Sequence, residues 1–353
     1  MTIKKINLIR AGLETLYYSG AYRAFQNTWS GMGAIFMLHH IRAQMEPFAG
    51  FHPNSCLETT PAYLEAVLAR LQAQDIEFVS FRDAVDRIRN GDDKRRFAAF
   101  TIDDGYLDNY REALPIFQKY GCPFTVFVAT KIIDGEAELW WLALEKIVAG
   151  NDVLETRIDG QCRTFKTATA GEKLTAYDEI YWYLRRVGVD KQQRCFRNMC
   201  SRYGVDLAAI CRTEAMTWSQ VRALNADPLV TIGAHTVNHV ALAKLAEDEA
   251  AREISLSKER LEQELDTSID YFCYPYGDTA SAGAREFDLA QRAGITAAVT
   301  TRKGLIYPEH ASHLLALPRV SLNGDYESLR YIDLYLSGAP FALWNKFQRV
   351  DAA

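Results

Sequence analysis

Short runs rich in apolar, β-branched and aromatic residues alternate with helical patterns along most of the chain, and this restricts the fold more than any other feature. The runs are Ala34–Ile41, Glu77–Phe81, Ala98–Asp103, Pro123–Thr130, Leu229–His235, Tyr271–Tyr276, Ala297–Thr301 and Leu314–Ser321. Helical periodicity separates most of them, as at Pro61–Gln74, Asp108–Tyr120, Glu247–Leu265 and Gly283–Ala293. Strands alternating with helices imply βα units around a parallel sheet, and seven or eight such units can close into a barrel. The runs are nearly continuous in apolar character, as expected for strands covered by helices on one face and packed against side chains on the other.

Two regions depart from this rhythm. Residues 4–25 read as a helix whose apolar stripe is Ile6, Ile9, Leu13 and Leu16/Tyr17. That stripe suits a helix packed on the domain. With Lys4, Lys5, Arg10 and the tyrosines it also suits a helix in peripheral contact with a membrane. From about 136 to 224 lie helical, aromatic-rich stretches, including Trp140-Trp141 and Tyr181-Trp182-Tyr183-Leu184, around a polar segment of strand character at Glu155–Lys166. The expected organisation is an N-terminal helical segment (1–33), a barrel (34–335) carrying a helical insertion (136–224), and a C-terminal tail (336–353). Insertion and N-terminal helix are equally suited to dimer contacts or substrate walls, so an oligomer is compatible with the sequence.

A net charge of −5 over 353 residues argues against a general nucleic-acid binder. No apolar run approaches the ~18 residues that span a membrane. The basic start is broken by Arg10 and Glu14, so no secretory signal is read and a cytoplasmic protein is expected, peripheral at the inner membrane face in the membrane-contact reading of the N-terminal helix. Seven cysteines without a Cys-x-x-Cys pair are expected to be free thiols.

Three of the segments that could carry chemistry lie at the C-terminal ends of expected strands, the face on which barrels build their sites. In Thr101-Ile102-Asp103-Asp104-Gly105, adjacent acids on a regular strand would face opposite ways, but Gly105 lets the backbone turn and can bring both to the rim. Asp-Asp-Gly equally reads as a solvated turn. In His235-Thr236-Val237-Asn238-His239, histidines four apart share a face of a helical turn. Asp104, His235 and His239 would make a two-imidazole, one-carboxylate site suited to catalytic Zn²⁺, Co²⁺, Mn²⁺ or Fe²⁺. In Cys273-Tyr274-Pro275-Tyr276-Gly277 the Pro-Gly turn could aim the Tyr276 N–H into the site, or simply end an aromatic strand.

Together these segments resemble the NodB-homology polysaccharide deacetylases, carbohydrate esterase family four. The first motif of that family, T-F-D-D-G, is met by Thr101 to Gly105 with Ile102 for Phe. The second, H-[ST]-x-x-H, is met by His235 to His239. The third, R-x-P-[YF]-G, is met only at Pro275-Tyr276-Gly277, with Cys273 where Arg belongs. The resemblance implies a distorted (β/α)7 barrel and metal-dependent removal of N-acetyl (or O-acetyl) groups from a sugar, with Zn²⁺ the foremost cation. It implies Asp104, His235 and His239 as metal ligands, Asp103 as general base, and the Tyr276 N–H as oxyanion donor. Arg319, in Leu317-Pro318-Arg319-Val320, is a candidate for the missing arginine or an ordinary surface residue. The late general-acid histidine of the family is not visible. Phe36-Met37-Leu38-His39-His40-Ile41 is similar to the Y-H-x-V segment of the biofilm-type deacetylases that act on poly-N-acetylglucosamine. That likeness makes His39 the general acid and His40 secondary, with His313 as the alternative.

An allantoinase-like hydrolase of cyclic amides or ureides, and a catalytically silent carbohydrate-binding barrel, are the rival readings. The sugar reading is preferred because Trp140, Trp141 and nearby aromatics could stack on sugar rings, although core packing accounts for them as well. The expected partner is an N-acetylated glycan, or a lipid- or nucleotide-linked sugar precursor.

Overall fold

Seven parallel strands close into a ring in the order in which they occur along the chain. They are β1 (Gly33–Leu38), β2 (Phe97–Ile102), β3 (Phe124–Val128), β4 (Val230–Ala234), β5 (Tyr271–Cys273), β6 (Ala297–Lys303) and β7 (Leu317–Ser321). The computed structural model describes residues 3–43 and 48–352, with side chains at the N-terminus from residue 7. Closure comes from β1, where Phe36 lies opposite Phe100 of β2 on one side and Val320 of β7 on the other. This is the α/β barrel of seven strands that the sequence led us to expect.

Side chains alternate along each strand, and the alternation sorts the core. Ile35, Ala99, Phe127, Cys273, Val299 and Leu317 cluster inside the ring, where helix Phe81–Asn90 meets them through Phe81, Ala84, Val85 and Ile88. Their neighbours Phe36, Phe100, Phe124, Phe272 and Val320 face the covering helices through Leu64, Leu68, Ile254 and Leu261. The same parity turns Thr101, Asp103, His235 and Arg319 inward and places them toward the strands' C-terminal ends.

Several expected boundaries move, each for a local reason. The run Glu77–Phe81 is a strand only over Glu77–Phe78, because Ser80 accepts the Asp83 N–H (3.0 Å) and starts a helix at Phe81. Tyr271–Tyr276 stops being a strand after Cys273, ahead of Pro275, which has no N–H for a ladder. Leu314–Ser321 opens with a 3₁₀ turn and becomes a strand at Leu317. The helix expected over 4–25 ends at Tyr18, beyond which Gly20 adopts a φ of 71°.

Along that N-terminal helix the stripe Ile9, Leu13, Leu16 and Tyr17 packs on the barrel core, and Glu14 pairs with Arg330 at 2.8 Å. Side chains of Lys4, Lys5 and Ile6, part of the membrane-contact reading, lie outside the described residues. No described helix is long and apolar enough to cross a membrane.

The insertion comprises helix Trp140–Ala149, a hairpin of Val153–Ile158 with Gln161–Lys166, and helices Ala170–Arg186, Val189–Tyr203 and Leu207–Glu214. It has its own apolar cluster, built on Trp140, Trp141, Leu144, Ile180, Leu184 and Phe196 and joined to the barrel through Tyr106 and Ala129. Helix Trp218–Asn225 instead sends Val221 and Leu224 into the outer barrel core. In the expected tail, Ala339–Trp344 is helical and buries Phe341 and Ala342.

His310 gives the fold a pH dependence. It is 1% exposed, its Nδ1 accepts the Tyr307 N–H at 3.1 Å, and burial pushes its imidazole down to about 4. As pH falls below the ordinary imidazole value of about 6.5, the unfolded chain takes up a proton that the native chain refuses. Stability is therefore full above about pH 6.5 and falls toward pH 4, by about 3 kcal/mol. Urea melts of wild type and His310→Phe across this range check the effect: the variant should show a shallower slope, and equal slopes would refute it.

Candidate active site

β2 ends at Ile102, and the next three residues form a tight reversal. The Asp103 N–H still bonds the Leu38 carbonyl across to β1 (3.0 Å), and the Gly105 N–H bonds back to the Asp103 carbonyl (3.1 Å). Asp104 and Gly105 take φ of 78° and 91°, and only the glycine adopts such an angle without strain. The turn brings both adjacent carboxylates into one cleft, where each is 2% exposed.

The histidine segment after β4 also turns, but not as the helical turn expected from its spacing. It is a loop in which Thr236 (φ 66°) and His239 (φ 53°) are left-handed, and the His239 N–H bonds Thr236 Oγ1 at 3.0 Å. Glu253, on helix Glu247–Leu265, holds the loop. Its carboxylate accepts the N–H groups of Val237 (3.0 Å) and Asn238 (2.9 Å) as well as the Asn238 side-chain amide. Nothing in the sequence marked Glu253, because it lies fourteen residues beyond His239 amid other helix acids.

The loop sets His235 Nε2 and His239 Nε2 at 3.2 and 3.1 Å from Asp104 Oδ1. Burial alone would raise the Asp104 carboxyl, but the two imidazoles hold it well below the usual carboxylate range. Asp104 Oδ1 is nonetheless buried without a properly aligned hydrogen-bond donor. His235 Nδ1 lies 2.6 Å from the Cys273 carbonyl. Since only a protonated Nδ1 can bond a carbonyl, Nε2 is left with its lone pair toward Asp104. One carboxylate oxygen and two imidazole nitrogens converging in this way fit a divalent cation of the Zn²⁺, Co²⁺, Mn²⁺ or Fe²⁺ kind.

Asp103 faces a different set of partners. Arg319, fully buried on β7, reaches it bidentately, Nη1 to Oδ1 at 2.7 Å and Nη2 to Oδ2 at 2.6 Å. The same guanidinium bonds Thr101 Oγ1 (2.9 Å) and the Thr300 carbonyl (2.8 Å), and it lies 3.2 Å from Cys273 Sγ. The surface alternative for Arg319 is thereby excluded. Burial opposes the charged form of Asp103, yet the Arg319 guanidinium outweighs it and holds the carboxyl below its ordinary value. Cys273 sits at the third-motif arginine position, and its small thiol leaves Arg319 room to approach from β7.

Of the two adjacent histidines, only His39 lines the cleft, with Nε2 3.8 Å from Asp103 Oδ2. Burial holds its imidazole below the ordinary value, against the pull of Asp103 and Asp104. His40 is fully buried, bonds Asp108 through Nδ1 (2.7 Å) and stacks on Tyr106. The alternative, His313, is exposed between two 3₁₀ turns and is not among the cleft residues, because the strand it was expected to precede begins only at Leu317.

Tyr276 takes φ 63°, and Gly277 approaches β6 so closely that a Cβ there would meet the Thr301 nitrogen at 2.5 Å. Thr301 Oγ1 donates to the Tyr276 carbonyl (2.6 Å), while no described hydrogen bond uses the Tyr276 N–H. The phenol is clamped from the insertion: Trp140 Nε1 donates to its hydroxyl (2.9 Å), and the Arg185 guanidinium lies 3.8 Å over its ring. Trp140 and Trp141, at 6% and 5% exposure, pack in the insertion's core as the second of their two readings has it, and Trp141 also lines the cleft with its ring 5.1 Å from that of His239. Their burial follows from the insertion's need for its own core. The cleft measures about 1320 Å³ and runs between the insertion and a wall that includes Arg10 and Asp325.

Comparisons with known proteins bear on the family and the fold. The family model described as "Polysaccharide deacetylase" matches residues 90–156 and 174–298, more than half of the chain. No curated protein sequence matches. Among solved structures, the Streptococcus pyogenes deacetylase PplD in complex with acetate is similar at a TM-score of 0.57 and 17% identity, covering 86% of this chain and 97% of that one. IcaB from Ammonifex degensii is similar at 0.53 and 16%, covering 86% and 97%. The de-N-acetylase from Aggregatibacter actinomycetemcomitans is similar at 0.54 and 13%, covering 86% and 99%. At these identities the likeness is one of fold.

Proposed function

Because the chain belongs to the polysaccharide deacetylase family, we propose that its cleft hydrolyses the N-acetyl groups of an N-acetylated glycan, with Asp103 as general base beside a divalent cation held by Asp104, His235 and His239. The observation that carries this reading is the division of labour between two adjacent carboxylates. One faces two imidazoles and the other a guanidinium.

When bound, such a cation supplies Lewis acidity, polarising the acetyl carbonyl and acidifying a water. Asp103, kept ionised by Arg319, takes the proton of the attacking water. Arg319 also fixes the carboxylate plane, because a bidentate fork allows one orientation only. The Tyr276 N–H, which no described hydrogen bond uses, donates to the acetyl oxygen as it becomes negative. His39, whose Nε2 lies 3.8 Å from Asp103 Oδ2, passes the proton that Asp103 has taken from the water to the departing amine, so that a free amino sugar and acetate leave and both side chains return to their starting state.

The deciding experiment measures acetate released from N-acetylglucosamine oligomers by protein reconstituted with Zn²⁺ or Co²⁺. Chelation with EDTA should abolish release, and readdition of the cation should restore it. His235→Ala should neither retain stoichiometric metal by elemental analysis nor release acetate. Full turnover by protein shown to be metal-free would overturn the assignment.

A further inference from the structure

Helix Ala170–Arg186 lines the cleft along nearly its whole length, with residues from more than one of its faces. Gly171, Leu174, Asp178, Trp182 and Arg185 recur at spacings of three and four, and all line it. At 1.5 Å per residue that row is about 21 Å long, several times the width of a sugar ring. We propose that this wall binds an extended, uncharged N-acetylated oligosaccharide, with the Trp182 indole as the stacking platform for a ring beyond the one that loses its acetyl group. The proposal rests on the deacetylase reading and adds the subsite to it.

Trp182 is 45% exposed, unlike the core tryptophans 140 and 141. Its ring is fixed: Nε1 donates to Asp178 Oδ1 at 3.0 Å, and the Tyr181 ring stands against it edge to face at 5.3 Å. A flat apolar ring held in place matches the C–H face of a pyranose, while hydroxyl and acetamide groups find polar partners in Asp178, Glu179 and Arg163.

Its position follows from a chain of contacts. The Tyr276 hydroxyl bonds Trp140, the Trp140 ring lies 5.0 Å from Tyr181, and Tyr181 abuts Trp182. Trp182 is thus set off from Tyr276 by two intervening rings, Trp140 and Tyr181, the place for a ring beyond the first. Charge favours a neutral ligand over a diphosphate-linked one. Each guanidinium on this wall has a carboxylate: Arg185 with Asp278 (3.1 Å), Arg163 with Glu179 (2.8 Å) and Arg186 with Asp159 (4.0 Å).

Calorimetry tests this in the Asp103→Asn background, which leaves the ligand intact, using β-1,4- and β-1,6-linked N-acetylglucosamine from monosaccharide to hexasaccharide. Affinity should rise with length, Trp182→Ala should weaken the hexasaccharide about tenfold, and Trp182→Phe should restore most of the loss. Length-independent affinity, no binding by any oligomer, or Trp182→Ala binding as well as its parent would each overturn the subsite. Failure of the deacetylase reading would appear separately, as no acetate release by the reconstituted wild type.

Discussion

Asp103→Asn should bind the cation as tightly as the wild type and release acetate about 10³-fold more slowly. Asparagine keeps the shape of the side chain but cannot take a proton from water, so the loss falls on turnover. The proposed metal ligands are untouched, because Asp103 bonds Arg319 while Asp104 faces the imidazoles. Metal content and acetate release, measured on the same preparation, separate the two roles. Turnover within tenfold of wild type would remove Asp103 from the position of base, and loss of metal would show that the carboxylates share the cation.

Arg319→Met should be the most destabilising of the site substitutions, by about 3–5 kcal/mol in urea melts. It strands the buried Asp103 carboxylate and leaves the Thr300 carbonyl without its guanidinium donor. Arg319→Lys should recover little, since one ammonium cannot reproduce the planar fork on both carboxylate oxygens. If Arg319→Met melted like the wild type, Asp103 would have to be neutral in the native protein, and its role as an ionised base would fall with it.

The barrel was legible because the alternation of strands and helices is local and repeated seven times. The ring strands fall on seven of the eight expected runs, and the eighth, at 77–81, is a two-residue strand paired beside Phe97 and Ala98, cut short because a serine cap starts a helix at Phe81. The metal-ligand candidates were legible because they lie within two short motifs. What the sequence withheld is long-range. The support that Glu253 gives the histidine loop and the clamp of Trp140 and Arg185 on Tyr276 join residues far apart in the chain, whereas the reach of Arg319 to Asp103, equally long, was offered by the sequence as one of two alternatives. The helical turn expected for residues 235–239 failed for a related reason, since Glu253 takes up N–H groups in a left-handed loop.

Arg319 sits on the last strand of the ring, and Asp103 follows the second. During synthesis on a ribosome, the base therefore waits without its guanidinium partner until more than two hundred further residues have emerged and β7 has slotted between β6 and β1. A chain that lacks β7 displays both proposed metal-binding motifs without the guanidinium that orients the proposed base, so that competence for the proposed hydrolysis is coupled to synthesis of the last ring strand.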